Sequence, residues 1–300
     1  MKTSHLIPAL LTALLLTLLL LCTCTLAEEA YTPLPLTGPA PYAPITSALS
    51  GDGLSYDDGT MTVRIEKDVA YDTNVYYVYV TITDPSQLRT ATAAGAKSKK
   101  RKPVTVMAQE NNAVLAINGD FYSYHSEGVV FRSGEQIRMN PRSGRDALII
   151  DENGDFNLIA LPKGSKHVAM KTAFEEFPRE IREAFSFGPA LIIDGVVQEF
   201  DYKKKTSCGY PTPAQRLAVC QIDALSYLIV ATEGPEQEGQ VGLNVPQLTE
   251  LCAAKGVKHA YNLDGGSSVT IVLCGNRINA PETKNRDVGD IIYFATLRGE

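Results

Sequence analysis

Short runs of aliphatic and β-branched residues, separated by turn dipeptides that favour positive φ, constrain this chain more than any other feature. Ala147–Ile150 and Phe156–Ile159 flank Asn153-Gly154, and Ala190–Ile193 and Val196-Val197 flank Asp194-Gly195. Asn-Gly and Asp-Gly adopt the left-handed conformations that two-residue hairpin turns require. Leu217–Ile222 and Tyr227–Ala231 read as a further hairpin, and Met61–Thr83 is rich in Val, Ile, Tyr and Thr, as strands are. Helical signals are fewer. Residues 245–255 place Val245, Leu248, Leu251 and Cys252 on one face, with Asn244 as N-cap, Gln247 completing a capping box and Gly256 past the end. A short helix is expected after Pro103. The pattern predicts an α+β fold: mixed or antiparallel sheets rich in β-hairpins, a few packed helices, and a single domain rather than a doubly wound βαβ arrangement.

The ends of the chain read differently. Lys2 precedes an uncharged apolar run, Leu6–Leu21, which gives way to Ala27 and then to Glu28 and Glu29. A basic start, an apolar stretch and a small residue describe a signal peptide, residues 1–27, cleaved after Ala27 or retained as an N-terminal membrane anchor. Positive charge before the run and negative charge after it translocates the remainder, so the protein is expected to be extracytoplasmic, either secreted or anchored to the membrane. Residues 28–57 are rich in Pro, Ala, Ser and Gly and read as a linker or extended strap, leaving 58–300 as the folded domain. Without the leader, 27 Lys and Arg face 34 Asp and Glu, a net charge of -7. That acidity argues against nucleic acid as the main partner. Lys97–Lys102, KSKKRK, is the exception; it reads as a solvated loop tip, with a patch for anionic polymer or membrane surface as the alternative. Of Cys208, Cys220, Cys252 and Cys274, none has CxxC spacing, and Cys220 and Cys252 read as buried thiols.

Polar groups at the ends of apolar strands are the candidates for chemistry. Asn118-Gly119-Asp120 follows Ala113–Ile117, Asn262-Leu263-Asp264-Gly265-Gly266-Ser267-Ser268 follows Ala260, and Arg216 opens the strand to Ile222. Glu233 follows Ala231, and Arg286 lies in the loop before the last strand. Taken singly, each is ordinary turn or surface chemistry. The glycine pair is more specific, because consecutive glycines let backbone N–H groups approach an anion. Ser267 and Ser268 add hydroxyls, and Asp264 sets a carboxylate beside them.

The motifs Ala116–Tyr122 (AINGDFY), Phe187–Gly195 (FGPALIIDG) and Ala260–Ser268 (AYNLDGGSS), in this order, resemble the phosphodiester glycosidase family. That family includes the catalytic domain of N-acetylglucosamine-1-phosphodiester α-N-acetylglucosaminidase. The resemblance covers roughly residues 60–297. It implies hydrolysis of a sugar-1-phosphodiester, GlcNAc-1-phosphodiester-like, at the glycosidic bond, releasing the sugar and a phosphomonoester. It maps the family's site onto Asn118, Asp120, Arg216, Asn262, Asp264, Gly265, Gly266, Ser267 and Arg286. Three stretches depart from the family pattern: Arg216-Leu-Ala-Val-Cys220 for Arg-Thr-Ala-Ile-Gly, Glu233-Gly234-Pro235 for Asp-Gly-Arg, and Gly265-Gly266-Ser267 for three glycines.

On this reading Asp264 is the first choice for the catalytic carboxylate, as nucleophile or as base for water, with Asp120 and Glu233 the other candidates. Arg216 and Arg286 suit the departing phosphate. Asn118, Asn262, Gly265, Gly266 and Ser267 would bind substrate. No cofactor is required by the sequence, though carboxylates and strand-end carbonyls suit a hard divalent cation such as Ca²⁺. The expected partner is a phosphorylated glycan or cell-envelope polysaccharide. Two alternatives remain open: a non-catalytic surface protein that binds anionic or phosphorylated glycan, and a metal-dependent phosphodiesterase.

Overall fold

A computed structural model describes residues 31–95, 98–142, 145–160, 167–199, 211–279 and 286–300. The leader 1–27, Lys97 and Cys208 lie outside the described residues. Pro33–Glu300 form one compact unit. The folded unit therefore begins at Pro33 rather than at residue 58. The physical reason is that the 33–57 segment supplies core: Leu34, Ala40, Ile45 and Tyr56 are buried, and Ser55–Asp57 pairs with the next strand.

Among the described residues, three antiparallel sheets make the frame. The largest has eight strands in the order β1 (Ser55–Asp57), β2 (Met61–Ala70), β3 (Thr73–Ile82), β14 (Ser226–Thr232), β13 (Leu217–Asp223), β15 (His259–Asn262), β11 (Ala190–Ile193) and β12 (Val196–Val197). The second runs β7 (Glu135–Asn140), β6 (Gly128–Arg132), β10 (Ile181–Phe185), β8 (Ala147–Asp151) and β9 (Phe156–Ile159). The third runs β17 (Asn276–Arg277), β16 (Ile271–Leu273), β5 (Leu115–Asn118), β18 (Asp290–Phe294) and β4 (Leu88–Thr92). The helices are α1 (Val104–Glu110), α2 (His167–Glu175) and α3 (Val245–Ala254). This is the expected α+β architecture, with every named strand pair antiparallel.

The Asp-Gly turn forms as its dipeptide requires, whereas Asn153 is not left-handed and Gly154 alone supplies the positive φ of a longer turn. Asp194 and Gly195 have φ of 49° and 76°, and Gly154 has 79°. Asn244 caps α3 by accepting from the Gln247 amide, and Gln247 accepts from the Asn244 amide in return.

Burial on both faces explains why β13 and β14 are apolar throughout rather than alternating. Leu217, Val219, Ile229 and Ala231 point into the central core shared with Leu115, Ile117, Leu148 and Ile292 of the other sheets. Ala218, Cys220, Leu228 and Val230 point the opposite way, onto Val245, Leu248 and Cys252 of α3. Cys220 and Cys252 meet there as buried free thiols, 3.8 Å between sulfurs. α2 covers the outer face of the second sheet with Met170 and Phe174.

One buried guanidinium joins the second sheet to the third. Arg132, at the end of β6, donates from Nε and Nη2 to Oδ2 of Asp290 at 2.8 and 2.6 Å. Its Nη1 donates to the carbonyls of Phe131 and Ala184, and its Nη2 lies 3.3 Å from Asp120 Oδ1. Burial pushes the Asp290 carboxyl up from its ordinary value, and Arg132 opposes that shift. Removing one member of such a group leaves uncompensated buried charge. Arg132→Met is accordingly expected to destabilise the fold by about 3–5 kcal/mol, measured by urea denaturation. A loss below about 1 kcal/mol, the range of an exposed pair, would show that this ion pair does not hold the sheets together.

Candidate active site

Strand ends from all three sheets meet at one place. In the largest sheet, Ala218 lies opposite Asn262 and Leu217 opposite Ala231, so Arg216, Thr232 and Asn262 share one edge. In the third, Ile117 faces Ile271 and Asn118 faces Ile291, so Asn118, Thr270 and Asp290 share another. The 263–270 loop runs from the first edge to the second. Asn118 fixes it from below: its Nδ2 donates to the Asp264 carbonyl at 3.0 Å, and its Oδ1 accepts from the Thr270 amide at 3.2 Å. Both bonds are buried, so Asn118 serves the fold of the loop.

Close approach explains two glycines. A Cβ at Gly119 would overlap the Asp290 carboxylate, and one at Gly265 would sit 2.5 Å from the Gln215 carbonyl oxygen. Gly266 has φ of 61° and donates its amide to that same carbonyl at 2.9 Å. The glycines thus seat the loop on the start of β13. Gly265, Gly266 and Ser267 remain partly exposed, while Asp264 is buried beside them.

Burial raises the Asp264 carboxyl to about 6, while the Ser268 hydroxyl, the Arg286 guanidinium and the Gly265 amide favour its charged form and Asp120 opposes it. Asp264 therefore lies within electrostatic reach of both Asp120 and Arg286. Asp120 is itself held: its Oδ1 accepts from the Tyr122 amide at 2.9 Å and its Oδ2 from the Ser186 amide at 3.4 Å, beyond the end of β10. Arg286 donates its amide to the Ser267 carbonyl at 3.0 Å, and its guanidinium lies 5.8 Å from the Phe121 ring centroid. Asn262 lies fully buried at the base, with Nδ2 donating to the Gly188 carbonyl at 2.7 Å.

Asn118, Asp120, Asn262, Asp264, Gly265, Gly266, Ser267 and Arg286 therefore gather around one loop. Arg216 adjoins the loop through its backbone, 3.8 Å from where a Gly265 Cβ would sit, and Glu233 follows at the end of the neighbouring strand β14. The Arg216 side chain donates to the carbonyls of Leu243 at 2.9 Å and Thr212 at 2.6 Å. Oε1 of Glu233 accepts from the Tyr76 hydroxyl at 3.0 Å, and Arg277 is within electrostatic reach. Among the described residues, no group of three or more His, Cys, Asp and Glu side chains is arranged to hold a metal ion.

A cleft opens beside Asp120, walled by Phe121, His125, Arg142, Arg145 and Phe187. Burial, and then the cations Arg145, Arg142 and Arg138 around it, hold the His125 imidazole below its ordinary value. Sequence reasoning did not reach these arginines, nor Arg132 and Asp290. Arg132 sits before a Ser-Gly turn and reads as a surface residue, and Asp290 opens the last strand without any motif. The one signal was Gly119, whose missing side chain is the space that Asp290 fills.

A model of the family described as phosphodiester glycosidase matches residues 111–295. No curated protein matches the chain. Among solved structures, the catalytic domain of zebrafish N-acetylglucosamine-1-phosphodiester α-N-acetylglucosaminidase, auto-inhibited by its pro-peptide, superposes with a TM-score of 0.62 at 16% identity, over 81% of this chain and 86% of that one. A hypothetical protein from Synechocystis superposes with a TM-score of 0.53, also at 16% identity, over 78% of this chain and 62% of that one. These two likenesses concern the fold. The family match spans β5 to β18 and so includes the Asn118–Asp120 turn, the 262–268 loop and Arg286, and on it the chain belongs to the phosphodiester glycosidase family.

Proposed function

We propose that this chain hydrolyses a sugar-1-phosphodiester at its glycosidic bond, outside the cytoplasm, on a phosphorylated or cell-envelope glycan for which a GlcNAc-1-phosphodiester is the model substrate. The observation that carries this reading is the buried Asp264 carboxyl, set against a glycine loop and within reach of both Asp120 and Arg286. Water adds to the sugar C1 as the C1–O bond breaks. The bonding pair leaves with the phosphate oxygen, giving free sugar and a phosphomonoester.

A phosphate leaving group is already a stable anion and needs less proton donation than an alkoxide. The demand falls instead on holding its charge and on stabilising the electron-poor C1. Arg286 and the Ser267 hydroxyl meet the first demand, and Arg142 and Arg145 extend the cationic wall. Asp264, ionised, meets the second as nucleophile or as base for water, with Asp120 the second carboxylate of the pair. Arg216, whose side chain also binds the Leu243 and Thr212 carbonyls, is the second guanidinium suited to the phosphate.

In water enriched in heavy oxygen, the label is expected in the released sugar. Label in the phosphate would mean P–O cleavage and overturn this reading in favour of a phosphodiesterase. Asp264→Asn is expected to lower kcat by about two to four orders of magnitude, with an unchanged circular dichroism spectrum.

The pH profile has a definite sign. The reactive form of Asp264 is the ionised one, so kcat/KM should rise with pH through about 6. Arg286 favours the charged form, so Arg286→Gln should move that limb to higher pH. A limb that descends through the same range would assign Asp264 the role of acid. A limb unmoved by Arg286→Gln would separate the two side chains functionally.

A further inference from the structure

The basic segment 98–102 is rooted at the rim of this site. After β4, the Ala93 amide donates to the Gly289 carbonyl at 2.8 Å. The chain returns at Lys102, which exchanges backbone bonds of 3.0 and 2.9 Å with Val288. Both anchors lie within three residues of Arg286. The side chains continue the connection. Arg101 Cζ lies 3.3 Å from the Tyr124 ring centroid, and its Nε donates to the Ser123 hydroxyl. Tyr124 stacks on Phe121, with centroids 3.8 Å apart and planes 1° from parallel, and Phe121 faces Arg286. Arg101, Tyr124, Phe121 and Arg286 thus form a continuous row of cations and ring faces from the basic loop to the glycine loop.

We propose that Lys99, Lys100 and Arg101 form a second binding surface for a polyanionic glycan whose reacting diester lies in the cleft beside Asp120. This rests on the glycosidase reading above and specifies its substrate class: a chain with repeated phosphodiesters rather than a single small diester. Lys99, Lys100 and Arg101 are exposed, and among the described residues Lys99 and Lys100 form no ion pair, whereas Lys102 is bound to Glu110 at 2.7 Å. Asp287, exposed, is the acidic side chain beside the row. In a chain of formal charge -6 this strip is a local reversal of sign, and a row of ring faces suits the apolar faces of sugars between phosphates. A membrane surface would use the same lysines but has no use for a row that ends at the catalytic carboxylates.

The test compares a chain of about ten GlcNAc-1-phosphate repeats with the methyl diester of one GlcNAc-1-phosphate, using the full chain and Lys99→Ser/Lys100→Ser. The ratio of kcat/KM for polymer over monomer is expected to fall about tenfold in the double variant. The wild-type ratio should itself fall as salt shortens the screening length from about 30 to about 8 Å. Equal ratios for the two proteins would overturn the proposal. So would a variant that loses binding to phosphatidylglycerol vesicles while keeping its polymer preference. If neither substrate is hydrolysed, the glycosidase reading fails. Polymer binding measured by fluorescence anisotropy then still decides the surface: weakened in the variant it supports the surface, unchanged it overturns it.

Discussion

The site depends on charge held inside protein. Arg132 draws together Asp290 from the last strand and Asp120 from the turn after β5, while its remaining N–H groups bind carbonyls of the second sheet. Three sheets that meet only through apolar contact could slide, because hydrophobic packing has little directional preference. A guanidinium with fixed donor directions removes that freedom. Its partner Asp290 occupies the space above Gly119, so the turn that carries Asp120 is fixed from both sides. The position of one candidate catalytic carboxylate thus follows from the buried Arg132–Asp290 ion pair beside it.

The second carboxylate is fixed differently. Asp264 lies on a loop that crosses between two sheets, and such a loop needs its backbone groups satisfied wherever water is excluded. Asn118 supplies one donor and one acceptor to it, and Gln215 accepts from Gly266. Buried amide and carbonyl contacts hold the loop without placing another charge beside Asp264. Its ionisation is then governed by burial, with Arg286 and Asp120 acting in opposite directions.

Local elements were legible because their signals are local. Asp194-Gly195 and the Asn244–Gln247 capping box each specify a conformation within a few residues and form as read, while Asn153-Gly154 joins its two strands through a longer turn in which Gly154 alone is left-handed. The 33–57 segment is harder to read, because its Pro, Ser and Gly content conceals a few buried residues, among them Leu34, Ile45 and Tyr56, that strap it to the core. In the site, the residues in the three motifs could be singled out because glycines and carboxylates at strand ends have a pattern. Arg132, Arg142, Arg145 and Asp290 have none, since their roles come from neighbours tens to more than a hundred residues away. A charged residue beside a turn looks the same in sequence whether it faces water or another sheet.

The departures from the family pattern can be weighed by where they fall. Cys220 replaces a glycine on the face of β13 that packs against α3, and there it fills space against Cys252. Ser267 replaces a third glycine at a partly exposed position, where its hydroxyl adds a donor to the loop beside Asp264. Glu233-Gly234-Pro235 is the largest change, and it lies on the flank. Gly234 has no room for a side chain because Gln215 packs against it, and the longer Glu233 side chain reaches the Tyr76 hydroxyl. The arginine missing at Pro235 removes positive charge from that flank. Arg142 and Arg145 place positive charge in the cleft beside Asp120, and Arg286 lies within electrostatic reach of Asp264. A phosphodiester substrate requires cations around its phosphate but does not require that they come from one strand. The change at Pro235 therefore takes one cation from the flank and leaves those beside Asp120 and Asp264 in place.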